Sequence, residues 1–476
     1  MNKKQLSLYA ITDRSWLKAG ENLEDAVREA ILGGASIVQL REKQLAGTDL
    51  RQLAQRVQMV CREFSVPFII NDDVRLAAEL QADGAHVGAS DMAVAEARAL
   101  LGPDKIIGAT AKTVEQARAA EKAGADYLGS GAIFGTTTKK DAKPMSSKLL
   151  REICESVKIP VVAIGGIEAG NISRLKGLPV SGAAVVSGVF AQENVFGAAR
   201  QLRLRLWGKP VVHCITNTVT INDVANLLHA VGASPIMSHD VHEVEEVQEN
   251  ADALLLNLGA IEDFAAMKLA YRKALEMGHP IVIDPVGAAG NSYRRKCLSE
   301  LLTIGSPSCI RGNQSEILAI ASGENSARGL DGSAALSEET VEALARKLHC
   351  LIAATGETDI LTDGRKTIRN SSGSPLLTAI TGSGCMLSAM LAAEAAYAVG
   401  CGSDAALEMY AKETALSGSS DPFPENAFNV NRLAEICLRY GRAAAEAEEK
   451  TRALQGGTMT FRQQLIDGIS KRALQI

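Results

Sequence analysis

Short apolar runs alternate, over the first 200 positions, with longer stretches in which apolar residues recur every three or four places. The runs predict strands at Leu6–Thr12, Ser36–Leu40, Phe68–Asn71, Gly84–Val87, Lys105–Ala109, Tyr127–Gly129, Val161–Ile164 and Ala183–Val186. The stretches between them, such as LEDAVREAILGG, LRQLAQRVQMVCREF, VEQARAAEKAG and SKLLREICESV, predict amphipathic helices. Alternating strand and helix implies parallel pairing through right-handed crossovers. Eight such units predict a closed (β/α)8 barrel, the TIM-barrel architecture, with an open doubly wound sheet as the alternative. In a barrel, chemistry gathers in the loops that follow the strands.

The pattern changes near residues 190–209. The helical run FGAARQLRLRLW stops before Gly208-Lys209-Pro210, and a new apolar run, VVHCIT, begins. No long Pro/Ser linker intervenes, so two domains are expected in close succession, at 1–205 and 206–476. Strands in the second half are predicted at Pro210–Ile215, Leu254–Asn257, Ile281–Ile283, Cys309–Ile310, Leu351–Ala354 and Ile360–Thr362. The helices between them lengthen toward the C-terminus and show no eightfold repeat, which predicts a central sheet covered by helices. The polar, Gly-rich run Ser322–Ser337 is expected to be a surface loop.

Composition narrows the function class. The 476 residues exceed one ordinary core, and 46% hydrophobic with 22% charged is a globular balance. A net charge of −5, with no basic run interleaved with aromatics, argues against nucleic-acid binding and leaves anionic ligands to local sites. The nine cysteines are scattered without a C-x-x-C pair, which points to reduced thiols in a cytoplasmic protein. No secretory signal and no run long enough for a membrane span is expected.

The polar residues of the first domain fall at strand ends. In VQLREK, Gln39, Arg41 and Lys43 alternate and so face one way along an extended chain, a donor set suited to phosphate or pyrophosphate. The alternative is a solvated strand end in which Glu42 neutralises a neighbour. Asp72 and Asp91, after strands three and four, are candidate Mg2+ ligands; the alternative is that both cap helices. Thr136, Thr137, Thr138 and Lys139 supply hydroxyls and an ammonium in one loop. Gly165 and Gly166 after strand seven, with Val186, Ser187 and Gly188 after strand eight, match the barrel phosphate site.

The ordered set VQLREK, NDD, HVGASD, IFGTTTK, IGGI and VVSG resembles the thiamine phosphate synthase family across residues 1–200. The resemblance implies that hydroxymethylpyrimidine pyrophosphate lies against Gln39, Leu40, Arg41, Glu42, Lys43, Asn71, Thr110 and Lys139, with Mg2+ on Asp72 and Asp91. It implies that thiazole phosphate lies against Thr136, Thr137, Thr138, Gly166, Val186 and Ser187. The thiazole nitrogen carries no proton, so no general base is required; Arg41, Lys139 and the metal stabilise the departing pyrophosphate. Two departures stand out: Thr110 replaces the family's usual Ser, and HVGASD lacks a Gln common after the Gly.

In the second domain, Asn313 and Glu316 of IRGNQSEI fall on one face of a helix start, able to orient Mg2+-bound water, although most N-x-x-E runs are simple caps. Arg311 precedes them. The run Thr381-Gly382-Ser383-Gly384-Cys385 opens a long apolar helix whose N-terminus can approach an anion, or can simply pack tightly. Thr355 and Asp284 end strands, and Met237 is either a pocket wall or core. The set VHCITN, ANLLHAVGASPIM, IDPVG, IRGNQSEI, ATGETD and TGSGCM resembles hydroxyethylthiazole kinase, within the ribokinase-like superfamily, over about residues 207–470. The resemblance implies phosphorylation of the hydroxyethyl arm by Mg-ATP, with Met237 and Gly382 on the thiazole, Arg311 and Thr355 on ATP, and Asp284 and Glu316 toward the metal. It also implies a pocket between subunits, hence a homo-oligomer.

Cys385 stands where the wider superfamily carries an Asp base. A helix N-terminus is expected to lower its thiol pKa, and Cys385→Asp is expected to keep or raise activity. VGAAGNSYRR departs from the family's usual Gly-Ala-Thr/Ser run. The resulting expectation is a bifunctional enzyme whose kinase product feeds its synthase. The competing readings are a phosphosugar barrel joined to another kinase, and a silent vitamin-binding protein.

Overall fold

The computed structural model describes residues 3–135, 144–323, 336–399 and 428–474. Thr136, Thr137, Thr138 and Lys139, and most of the Ser322–Ser337 run, lie outside them. The chain divides into two compact units, Met1–Gly208 and Lys209–Leu474.

The first unit is a closed barrel of eight parallel strands in sequence order: β1 Leu8–Ile11, β2 Ile37–Leu40, β3 Phe68–Asn71, β4 Gly84–Val87, β5 Ile106–Thr110, β6 Tyr127–Gly131, β7 Val161–Ile164 and β8 Gly182–Val185. Pairing of β1 with β8, Tyr9 opposite Ala184, closes the ring and excludes the open-sheet alternative. Several helices begin where a side chain can cap them. Asn22 accepts from Asp25 N, Thr113 from Gln116 N, and Asn194 from Gly197 N, each satisfying an amide the helix leaves bare. The helix Leu23–Gly33 ends on Gly34 at φ 118°, a conformation a side chain would resist.

The second unit is a single eight-stranded sheet of order β10-β9-β11-β12-β13-β14-β15-β16. The strands are β9 Val211–Ile215, β10 Ser234–Ile236, β11 Ala253–Asn257, β12 Ile281–Asp284, β13 Cys309–Asn313, β14 Leu351–Thr355, β15 Asp359–Thr362 and β16 Thr367–Asn370. All pair in parallel except β15 and β16, which finish the sheet antiparallel. Alternate side chains serve opposite cores, as strand geometry demands. Leu255, Val282, Leu351 and Ala353 join one cluster. Leu254, Leu256, Ile281, Ile283, Ile352 and Ala354 join the other.

The helix Ser383–Val399 shows why its sequence is apolar on every side. Met386, Ala389, Leu391, Ala392, Ala393 and Ala395 are all fully buried, so the helix lies within the core. The order β10-β9-β11 places a topological switch between β9 and β11. At such a point the loops diverge and leave a crevice beyond the strand ends. Among the described residues no helix is long and apolar enough to cross a membrane.

Candidate active sites

At the barrel's C-terminal rim, Asp72 and Asp91 come together. The Asp72 carboxyl lies within hydrogen-bonding reach of that of Asp91. Burial first, then Asp91, pushes its pKa up, while Asn71 and the Lys43 ammonium draw it back. The capping alternative falls to a neighbour: Asp73 accepts from Leu76 N at 2.9 Å, which leaves Asp72 turned toward Asp91 at a positive φ of 63°. Asp91 also accepts from Gly88 N at 2.7 Å, which fixes its loop, and the helix that follows is capped at Ala93. Two carboxylates held this close, with Lys43 beside them, fit a divalent cation that takes its remaining oxygens from water and a phosphate ligand.

The alternation expected through VQLREK ends sooner than the sequence suggested. β2 stops at Leu40, and Lys43 sits in a turn. Only Gln39 faces the barrel interior as part of the strand. Its neighbour Leu40 points to the other face, so it offers the rim only its backbone. Arg41 N donates to Thr12 Oγ1 at 3.0 Å, and Glu42 accepts from Thr12 Oγ1 at 2.8 Å. Glu42 therefore ties the loop to the end of β1. Burial raises its pKa, against hydrogen bonds from the Thr12 hydroxyl and the Arg14 backbone N–H.

The loops after β6 and β7 meet closely. Gly165 and Gly166 have φ of 101° and 64°, and a Cβ on Gly166 would lie 2.9 Å from Gly135 C and overlap that residue's carbonyl oxygen. Val186 precedes the short helix Ser187–Phe190, whose first amides have no partner within the helix. Thr110 ends β5 and joins a buried polar chain that sequence reading missed. Gln39 Nε2 donates to Tyr9 Oη at 2.8 Å, Tyr9 Oη meets Tyr127 Oη at 2.6 Å, Tyr127 Oη meets His86 Nδ1 at 3.0 Å, and His86 Nε2 meets Thr110 Oγ1 at 3.1 Å.

In the second unit the strand ends around the switch converge. Asp284, at the end of β12, is 1% exposed. Its Oδ2 accepts from Ser388 Oγ at 2.8 Å and faces Arg311 Nη1 at 3.7 Å, while Oδ1 is buried without a hydrogen-bond partner. Burial lifts its pKa to about 6, with Arg311 and Ser388 pulling down and Glu316 pushing up. An orphaned carboxylate oxygen in a dry site is costly, and it fits a cation. Arg311 Nη2 donates to Thr355 Oγ1 at 2.5 Å, and Arg311 lies across Gly384, where a Cβ would collide with it. Asn313 and Glu316 form a complete capping box, and Glu316 Oε1 also accepts from Gly287 N at 2.9 Å. The simple-cap alternative is thus real here, and Glu316 can reach a metal's water only through its remaining lone pairs. Arg294 Nη1 donates to Val286 O at 2.7 Å and braces the altered loop after Asp284.

Cys385 is ringed by polar groups that the sequence did not single out. Asn257 Nδ2 lies 3.2 Å and Asn217 Nδ2 3.7 Å from its sulfur. The expected lowering of its pKa is reversed. Burial and then the charge of Asp284 raise it, against hydrogen bonds from Thr220, Asn257 and Asn217. The helix N-terminus is outweighed because the thiol is dry and sits beside an anion. Gly382 has φ 85°, and a Cβ there would press on Thr220 at 2.7 Å. Asp223 lies beside it, held by Arg462 at 3.1 Å, at the edge of an open groove of about 640 Å3 between the helices Ile221–Ala230 and Thr458–Leu474. Met237 is half-buried and packs against the core.

Residues 8–189 match the thiamine monophosphate synthase family model, and residues 207–420 match that of the hydroxyethylthiazole kinase family. A thiamine biosynthetic bifunctional enzyme of Saccharomyces cerevisiae is 32% identical, over 75% of this chain and 77% of its own. Its counterpart in Schizosaccharomyces pombe is 31% identical, over 82% and 85%. The chain belongs to the bifunctional thiamine biosynthetic enzymes. Its first unit is the synthase domain and its second the kinase domain. A solved structure described as hydroxyethylthiazole kinase from Pyrococcus horikoshii is 31% identical, covering 55% of this chain and 88% of its own, at a TM-score of 0.43.

Proposed function

We propose that the kinase domain phosphorylates 4-methyl-5-(2-hydroxyethyl)thiazole with ATP, and that the synthase domain joins the thiazole phosphate to hydroxymethylpyrimidine pyrophosphate, giving thiamine phosphate and pyrophosphate. The observation that carries this reading is that each unit holds its own strand-end carboxylate site: Asp72 with Asp91 in one, Asp284 with its unpartnered oxygen in the other.

In the synthase domain Gln39, Leu40, Arg41, Glu42, Lys43, Asn71 and Thr110 face the pyrimidine pyrophosphate, with Lys139 assigned to it by resemblance. Gly166, Val186 and Ser187 hold the thiazole phosphate, joined by Thr136, Thr137 and Thr138 on the same ground. Asp72 and Asp91 would hold Mg2+, which supplies charge stabilisation to the leaving pyrophosphate. The chain's own contribution is to hold the nucleophilic nitrogen and the leaving group in line; no side chain need take a proton.

In the kinase domain Met237 and Gly382 face the thiazole, and Arg311 and Thr355 face ATP. Asp284 and, through water, Glu316 would hold Mg2+, which neutralises charge on the phosphates. Cys385, with its raised pKa, accepts hydrogen bonds from Asn217 and Asn257 and so positions the acceptor hydroxyl more than it removes its proton. The eight cysteines within the described residues are all free thiols, seven of them buried, which supports a cytoplasmic setting. A homo-oligomer formed through the kinase domain completes the proposal.

The test is a double dissociation. ADP release from hydroxyethylthiazole and ATP, and pyrophosphate release from the two synthase substrates, are measured separately. Asp284→Asn should abolish only the first and Asp72→Asn only the second. Loss of both activities in either variant would contradict the assignment.

A further inference from the structure

The polar chain inside the barrel has a direction. Tyr9 and Tyr127 are both fully buried, and burial holds each phenol protonated. Each therefore carries one hydroxyl proton that needs an acceptor in a dry interior. Gln39 Nε2 donates to Tyr9, so the Tyr9 oxygen is an acceptor at that end. One arrangement then pairs every proton along the chain. Tyr9 donates to Tyr127, Tyr127 donates to His86 Nδ1, and the Nε2–H of the neutral imidazole donates to Thr110 Oγ1. With the Gln39 amide nitrogen on Tyr9, the reverse arrangement would have Tyr127 and Gln39 both donate to Tyr9, and the Tyr9 proton would have no partner in this chain.

Packing holds the chain in this form. The Tyr9 and Tyr127 rings meet edge to face with centroids 5.7 Å apart, and the His86 and Tyr127 centroids are 5.5 Å apart. The space for that contact comes from Gly108 on β5, where a Cβ would run into the Tyr127 hydroxyl and His86 Nδ1. Its last member reaches the rim: Thr110 is half-buried at the end of β5. Because Thr110 Oγ1 already accepts from His86, its own proton is free to point at a ligand.

We propose that the buried chain Gln39–Tyr9–Tyr127–His86 fixes the Thr110 hydroxyl as a hydrogen-bond donor at the barrel rim, making Tyr127 and His86 positioning residues for the pyrimidine ring. The inference rests on the reading of this rim as the pyrimidine pyrophosphate site. A pyrimidine's ring nitrogens are acceptors, so a donor of fixed direction selects a ring nitrogen and with it one orientation of the ring. Tyr127 sets the direction, because its proton decides which imidazole nitrogen is left to carry hydrogen.

The experiment is steady-state synthase kinetics on the full chain with both substrates varied. Tyr127→Phe leaves the imidazole tautomer unspecified and should raise the KM for hydroxymethylpyrimidine pyrophosphate about tenfold, the scale of one lost hydrogen bond. The KM for thiazole phosphate should not move. Thr110→Val should reproduce that change, and Thr110→Ser should restore it. Tyr9→Phe leaves Tyr127 donating to His86 and should shift the same KM by less than about threefold. The double variant Tyr127→Phe/Thr110→Val should be no worse than either single change, since both remove one donor. A structural role alone predicts otherwise: additive losses, equal effects of Tyr9→Phe and Tyr127→Phe, and both KM values disturbed. Any of those results overturns the inference. Absence of synthase turnover in the wild-type protein removes the reading beneath it, and the inference with it.

Discussion

Gly384→Ala separates the stability of the kinase domain from its function. Gly384 is the second residue of the helix Ser383–Val399, and an added Cβ would lie 2.9 Å from Arg311 Cζ and Nη2 and closer still to Nη1. The obstructed atoms are the end of a flexible side chain, so the guanidinium moves and the backbone does not. Two stability terms then oppose each other. Alanine in place of glycine gains up to about 1 kcal/mol in a helix, less in its first turn. Displacing Arg311 loses its hydrogen bond to Thr355 and weakens its approach to Asp284, a cost of about 1.5–3 kcal/mol for a charged donor. The net loss is about 0.5–3 kcal/mol, which a stable domain tolerates. Function should suffer more, because the proposed function places Arg311 and Thr355 against ATP. Kinase kcat/KM should fall on the order of tenfold to a hundredfold, chiefly through the KM for Mg-ATP. The assay is ADP release across an ATP series, with synthase turnover followed in the same preparation. Arg311→Ala combined with Gly384→Ala should be no worse than Arg311→Ala alone. Kinase parameters within about twofold of wild type, or an equal loss in the synthase, would refute the reasoning.

Three further outcomes follow from the same geometry. Asp284→Asn should stabilise the metal-free kinase domain at neutral pH: its folded pKa is raised from 3.8 to about 6, which makes the ionised form cost about 3 kcal/mol when buried. The folded state binds the extra proton, so this penalty is absent below about pH 4, grows as pH rises, and is complete above about pH 6.5; denaturation of both proteins across that range, showing a pH-independent difference, would contradict it. Gly166→Ala should raise the thiazole phosphate KM and cost about 1–3 kcal/mol, since its Cβ meets backbone at positive φ; an unchanged synthase KM would count against a phosphate site there. Cys385→Asp should keep or raise kinase turnover, because a carboxylate in this dry place beside Asp284 would titrate nearer neutrality and can take a proton. Cys385→Ala should lower turnover modestly, and complete loss in the Asp variant, read as kcat, would reject the positioning role.

The barrel was legible because all its strands are apolar runs with helix patterns of regular spacing between them. In the kinase domain the two strands not anticipated, β10 and β16, are the two edges of the sheet. An edge strand is buried less completely and needs no apolar run. β10 is Ser-Pro-Ile, with a proline that an edge tolerates, and β16 carries Thr, Arg and Asn. Asp72, Asp91, Asp284 and Thr355 were picked out as candidates because they lie at or past strand ends, and the structure brings Asp72 to Asp91 and Arg311 to Asp284 and Thr355. Tyr9 and Tyr127 look like core in the sequence, and only the closed barrel shows that their hydroxyls meet. Asn257 lies 128 positions before Cys385, so nothing local signalled that it faces the thiol. The direction of the Cys385 pKa failed first because the folded core buries the thiol, and then because the nearby charge comes from β12.

The central claim, that one chain carries both steps, is tested most directly by a one-pot reaction. Purified protein receives hydroxyethylthiazole, ATP, Mg2+ and hydroxymethylpyrimidine pyrophosphate, and thiamine phosphate is followed by oxidation to fluorescent thiochrome. The account predicts product only when all four are present, with thiazole phosphate able to replace thiazole plus ATP. Product from thiazole phosphate alone, with none from thiazole and ATP, would contradict the kinase assignment; no product from either mixture would contradict the whole.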